Sequence, residues 1–124
     1  MAIGAAWIAF GAVAGLTAVA MAGAAAHGLP QRLDPAAMQM VRNALQMHGW
    51  HALALVFCGL WAEMRGGGFA IHAAALAFLL GLLLFCGAVY ALALSGIRVP
   101  WVAPTGGMLL MLGWLLLGLS ALGV

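Results

Sequence analysis

The chain predicts an all-α membrane protein, an antiparallel bundle of four transmembrane helices, and its apolar runs, composition and sparse charge carry that prediction. Four apolar runs, Ala2–Ala26, Leu45–Ala62, Phe69–Leu94 and Val102–Val124, fill almost all of the 124 residues. A helix needs about 20 consecutive apolar residues to cross the hydrocarbon core of a bilayer, and each run supplies roughly that. Hydrophobic residues make up 68% of the chain and charged ones 5%, with a mean hydropathy of +1.20. A water-soluble domain of this size has too little interior to hide so much apolar surface. One domain is expected, with spans at about 2–26, 42–62, 69–94 and 102–123, because no other segment is long enough to build a second core.

The first span carries small-residue sites such as Ala24-Ala25-Ala26 near its end, as a cleaved signal peptide would. It has no basic residue ahead of them and its apolar stretch is too long, so it is read as a retained span. Within it, Gly11-x-x-x-Gly15 is a close-packing motif, and Ala14, Ala18, Ala22 and Ala26 extend the small-residue pattern. In lipid, small residues let helix backbones approach, so that dispersion drives association. Gly11 and Gly15 are the helix-packing candidates, within the bundle or, alternatively, between copies in a homo-oligomer.

After His27, Gly28 can end a helix and Pro30 cannot continue one. Asp34-Pro35 then has the form of an N-cap followed by proline at the first helical position. One continuous helix is predicted from Pro35 to about Ala62, roughly 42 Å long at the α-helical rise, which exceeds the hydrocarbon thickness. Its first turns, with Arg42 and Asn43, must protrude, tilt or be shielded by a neighbour. Glu63 to Gly68 is a tight, glycine-rich turn, the third span stops at Ser95-Gly96, and the segment from Pro100 to Gly107 opens the fourth.

The net charge of +2 sets four arginines against Asp34 and Glu63. That is a topology signal; a nucleic-acid partner would want a dense basic surface. Arg32, Arg42 and Arg98 fall on the first and third connections, against Arg65 alone on the second. Positive charge favours the cytoplasm, which puts both termini outside it.

Polar side chains within lipid are functional-site candidates by default. They are His27, Gln46, His48, His51, Tyr90 and Thr105, which helix direction places in one leaflet, and His72, which falls in the other. His48 and His51 are three apart and share a helix face. Two imidazoles so placed invite a metal or haem, but only His27 or Met47 is available as a further ligand, and neither a metal site nor a cofactor is assigned. The simpler reading makes these histidines interhelical hydrogen-bonding groups. The five tryptophans and Tyr90 read as interfacial anchors or packing residues, and Cys58 and Cys86 as small buried hydrophobes. The chain holds no intramembrane carboxylate, no Ser/His/Asp set, no phosphate-binding loop and no Cys-x-x-Cys, so no enzymatic activity is expected.

Several segments together resemble one family. Gly23-Ala24-Ala25-Ala26-His27-Gly28-Leu29 resembles the G-A-x-G-A-H-x-L ending of the first span in the YgdD/YwdK-type small membrane proteins of bacteria, kin to a small eukaryotic transmembrane protein. His51-Ala52-Leu53-Ala54-Leu55 is similar to their H-A/T-L-A segment. Leu84 to Leu94, LFCGAVYALAL, resembles their L-F-S-G-S-L-Y-x-L-A-L run, and Pro104-Thr105-Gly106-Gly107 through Gly113-Trp114 their T-P-x-G-G…G-W. The chain departs from the pattern at His48, an added histidine, at Cys86 and Ala88 in place of serines, and in the order of Pro104 and Thr105. The resemblance implies a bacterial inner (plasma) membrane location and a multi-pass fold, in a family of unknown function.

The function expected is that of a non-enzymatic accessory or scaffold subunit of a membrane complex, with the lipid bilayer, other membrane subunits or a second copy as partners. The alternative is a binder of a small molecule, quinone or lipid headgroup in a one-leaflet pocket around His27, His51 and Tyr90. A metal or haem protein comes last.

Overall fold

Each break expected from glycine and proline becomes a helix end. The computed structural model describes residues 2–124. Helix α1 runs Ile3–His27, α2 Pro35–Arg65, α3 Phe69–Ser95 and α4 Val102–Ala121, with one 3₁₀ turn, Leu29–Gln31, between α1 and α2. Asp34 caps α2, its Oδ1 accepting the Ala37 N–H at 2.7 Å, with Pro35 next in line. Gly66 and Gly96 end α2 and α3 with φ of 78° and 70°, a left-handed conformation that glycine adopts without a Cβ clash.

Helices α2 and α3 are the inner pair, rich in buried residues, while α1 and α4 bury only narrow seams of mostly small residues. Gly59 of α2 faces Gly4 and Ile8 of α1, Val56 faces Gly11, and His48 faces Thr17, so α2 descends as α1 climbs. On the other side α3 packs along α4, where Gly81 meets Gly106 and Leu110, and Gly113 meets the Phe78 ring. Phe78, Leu55, Ile71, Leu110, His51, Val41 and Cys58 are the large side chains fully enclosed between them.

The glycine seams differ from the expected motif. A Cβ on Gly11 would lie 2.6–2.9 Å from Val56 Cγ2, Val56 N and Ala52 O, whereas one on Gly15 would have nothing within 4 Å. The packing partner of Gly11 on its own helix is Gly4. Seven residues bring a helix back to within about 20° of the same face, while four residues turn it by about 40°. Gly15 therefore rotates out of the seam.

Among the described residues three helices, α1, α3 and α4, are long and apolar enough to cross a membrane. The four-span prediction rests on α2 as well, and α2 falls short of that standard. Its exposed early turns hold Gln39, Arg42, Asn43 and Gln46, and its interior face holds His48 and His51. A helix shielded by neighbours on both sides carries such groups more cheaply than one facing lipid.

Candidate functional site

One residue from each of the first three helices meets in a hydrogen-bonded chain. His48 Nε2 lies 3.0 Å from Thr17 Oγ1 on α1, and His48 Nδ1 lies 3.0 Å from the Tyr90 hydroxyl on α3. The direction of the chain follows from counting hydrogens. Thr17 donates its one hydroxyl hydrogen to the Ala14 carbonyl at 2.9 Å, so toward His48 it acts as acceptor. His48 then carries its proton on Nε2 and donates it to Thr17, leaving Nδ1 to accept from the Tyr90 O–H. The imidazole is neutral, with both nitrogens occupied. Its ring also lies against the phenol, centroids 5.8 Å apart.

These three residues line a groove of about 460 Å³ between α1 and α3. Phe10, Val13, Leu79, Leu82 and Leu83 complete its walls, and Gly87 leaves open space where a side chain would project. The groove's surface is almost wholly apolar, with Tyr90, His48 and Thr17 gathered toward one end of it. Tyr90 is about 8 Å below the end of α3 at Ser95, and Leu79 about 24 Å below it, at the α-helical rise. The polar residues thus lie toward the Ser95 end of the groove and the leucines away from it.

His51 belongs to a different cluster. Its Nε2 accepts the Trp114 indole N–H of α4 at 3.0 Å, so its proton sits on Nδ1 and goes to the Met47 carbonyl at 2.6 Å. The ring packs against Phe78 and Trp114, with centroids 5.6 and 5.8 Å away. His48 and His51, three residues apart, therefore hold opposite tautomers. Ligation of a metal or haem by either one would break an existing hydrogen bond. Among the described residues no three His, Cys, Asp or Glu side chains gather closely enough to hold a metal ion.

The remaining candidates stay apart. His27 and Gln46 are exposed, and Thr105, also exposed, donates to the carbonyl of Trp101 at 2.7 Å in its own helix. His51 takes its cross-helix bond from none of His27, Tyr90 or Thr105, because its ring points at α4, beside Phe78. At the opposite end of the bundle, the Trp7 indole donates to His72 Nδ1 at 3.0 Å. Cys86 donates weakly to the Ala44 carbonyl at 3.5 Å, and Cys58 is buried; both thiols are free.

Thr17, Trp7 and Trp114 are the members that sequence reasoning passed over. Thr17 is the only hydroxyl in α1. Trp114 sits well inside α4, away from the interfacial belt, where an indole N–H needs a partner. Both signals were present in the sequence; the identity of the partner was not.

The comparisons with known proteins fit this fold. The family model described as a protein of unknown function, DUF423, matches residues 21–107. The chain belongs to this family. Within it, a UPF0382 membrane protein of Haemophilus influenzae is 35% identical over 84% of this chain and 83% of its own length. The inner membrane protein YgdD of Escherichia coli is 30% identical over 91% of this chain and 86% of its own. YwdK of Bacillus subtilis, a membrane protein by name, is 28% identical over 93% and 94%. No solved structure matches. These relatives are membrane proteins by name, and this DUF423 chain, with three helices long and apolar enough to cross a bilayer, is a membrane protein as well.

Proposed function

We propose that this protein is a non-enzymatic membrane binder that holds a single-chain amphiphile in the α1–α3 groove, its polar end at Tyr90, His48 and Thr17. The observation that carries this reading is an apolar, leucine-lined groove whose three polar residues lie toward one end. The leucine-lined part would take the chain of a lipid, and the end nearer Tyr90 its polar part. The reading replaces a pocket centred on His27, His51 and Tyr90 with one centred on His48.

In the same proposal α2 crosses the bilayer as the fourth span of one domain, and both termini lie outside the cytoplasm. The Gly4–Gly59, Gly11–Val56 and Thr17–His48 approaches, spread along α1, support the crossing, and the arginine asymmetry supports the orientation. A scaffold role with further subunits or a second copy remains the other reading. It is favoured by Gly15, whose small surface lies outside the intramolecular seam.

Gly87→Leu tests the binder reading. The new side chain enters the open space of the groove, and removing a mid-helix glycine favours the helix by up to about 1 kcal/mol. Native mass spectrometry should show an amphiphile on the unmodified protein that is lost from Gly87→Leu at undiminished thermal stability. An unmodified protein that carries none, or a variant that keeps it, would reject the groove as a binding site.

A further inference from the structure

From Asn43 to Leu60, helix α2 exposes six residues and no others: Asn43, Gln46, Trp50, Leu53, Phe57 and Leu60. Their spacing alternates between three and four, a repeat of about 3.5 residues, which is the seam of a left-handed helix pair. Helix α3 leaves a similar stripe, with Leu76, Leu80, Leu83 and Gly87, but that one is apolar and lipid can cover it. The α2 stripe differs because Gln46 and Trp50 bring polar hydrogens into it.

The depth of these two residues follows from register. His48 stands beside Thr17, so the antiparallel pair puts Gln46 level with the exposed Val19 and Trp50 level with Gly15. At the helical rise those heights lie about 12 and 18 Å below the end of α1 at His27. A headgroup layer is about 5–8 Å deep, so both residues sit in hydrocarbon. Among the described residues neither the Gln46 amide nor the Trp50 indole N–H has a hydrogen-bond partner. Gln39, Arg42 and Asn43, nearer the start of α2, bond one another instead.

We infer that α2 pairs with α2 of a second copy of this chain, across a two-fold axis along the membrane normal, and that Gln46 locks the pair. This goes beyond the groove reading and shares with it the crossing of the bilayer by α2. Two copies inserted the same way round hold their α2 helices parallel, so each seam residue meets its own counterpart at one height. A carboxamide suits that position because it carries both donor and acceptor and so complements itself. Each Gln46 N–H donates to the other carbonyl, which gives two reciprocal bonds. The second lone pair of each carbonyl is left for the Trp50 indole N–H one turn away. An amide without such a partner is costly in hydrocarbon, so the pair gains from the depth at which it sits. Leu53, Phe57 and Leu60 supply apolar contact along the rest of the seam. None of the six residues lines the α1–α3 groove, which the pairing leaves open.

The test is resonance energy transfer between donor- and acceptor-labelled copies of the full chain in phosphatidylcholine vesicles, over a range of protein-to-lipid ratios. Transfer should rise to the saturation of a dimer. Gln46→Leu should weaken association about tenfold or more, since each of its two membrane hydrogen bonds contributes about threefold to tenfold. That substitution lies on an exposed site, and unchanged thermal unfolding would show the monomer intact. Independently, Leu53→Cys should form a disulfide-linked dimer under oxidation in membranes, and Val19→Cys on α1 should not. The native thiols, Cys58 and Cys86, are buried and stay out of the reaction. No transfer at any ratio, equal association of Gln46→Leu and the unmodified protein, or linkage through Val19→Cys in place of Leu53→Cys would each overturn the inference. Those results leave the crossing of α2 standing, whereas labelling of both ends of α2 from one membrane face would overturn the crossing and the inference together.

Discussion

Trp114 and His51 form a donor–acceptor pair across 3.0 Å between α4 and α2, and that one bond determines which nitrogen of His51 holds the proton. With Nε2 accepting, Nδ1 must donate, and the Met47 carbonyl one turn earlier is in place to receive it. The pair satisfies two polar groups, an indole N–H and an imidazole, in a part of the bundle where neither has water to turn to. Phe78 closes the cluster edge-on to Trp114, their centroids 5.1 Å apart. His51 and Phe78 belong to the core of the bundle, with the half-exposed Trp114 over them, whereas His48, one turn away, faces the groove.

Disrupting that pair should be measurable as a coupling. Trp114→Phe and His51→Leu should each destabilise the protein by about 0.6–2 kcal/mol, by leaving the other polar group without its partner. The double variant should cost less than the sum, because no orphan remains. Unfolding of the four proteins in mixed micelles gives the interaction energy. Strict additivity would mean that the bond contributes nothing to stability.

The two glycines of Gly11-x-x-x-Gly15 should behave oppositely. Gly11→Leu forces a side chain into Val56 and the Ala52 carbonyl, and should cost about 1–3 kcal/mol or abolish folding. Gly15→Leu meets open space and should leave monomer stability unchanged. Oligomeric state measured alongside separates the scaffold reading from the rest. If Gly15→Leu dissolves an assembly while the monomer stays folded, the outward face of α1 is an interface.

The helices were legible because their signals are local. Asp34-Pro35, Gly66 and Ser95-Gly96 punctuate apolar runs, and each punctuation mark became a cap. The spacing of His48 and His51 was equally legible, as was a place for Tyr90 at the height of His48 along the bundle. Their partners were not, since partnership depends on how neighbouring helices are rotated. A difference of three residues on α2 turns one imidazole toward α1 and α3 and the next toward α4. Nothing local to α2 encodes that rotation. It is set by where glycines let backbones touch, and the four-residue glycine pattern pointed to Gly15 when the seam ran through Gly4 and Gly11.

At the far end of the bundle, Trp7→Phe should have a smaller effect than Trp114→Phe. The Trp7–His72 bond has the same length, 3.0 Å, but His72 sits beside the glycine turn after α2, where water can replace the lost donor. A loss near about 0.6 kcal/mol is expected in the same unfolding assay. A loss equal to that of Trp114→Phe would mean this end is as dry as the core.

Topology can be read with thiol-reactive probes that do not cross membranes. Cysteines introduced by Arg32→Cys and Met64→Cys should label from opposite faces, the first from the cytoplasm and the second from outside. A reporter active only in the cytoplasm, fused after Val124, should give no signal. Labelling of both cysteines from one face would show that α2 does not cross. Swapped faces would invert the orientation and leave the bundle unchanged.

The register between α1 and α2 also bears on how the protein is made. Helix α1 leaves the ribosome first and is apolar enough to enter the bilayer unaided, whereas α2 arrives carrying Gln46, His48 and His51. Thr17 stands ready to take the proton of His48, and Gly4 and Gly11 leave slots for Gly59 and Val56. Helix α1 thus supplies one partner for α2 before α3 brings Tyr90 to His48 and α4 brings Trp114 to His51. A translocon presented with α2 alone should pass it through, and one that still holds α1 beside it should release both together into the lipid.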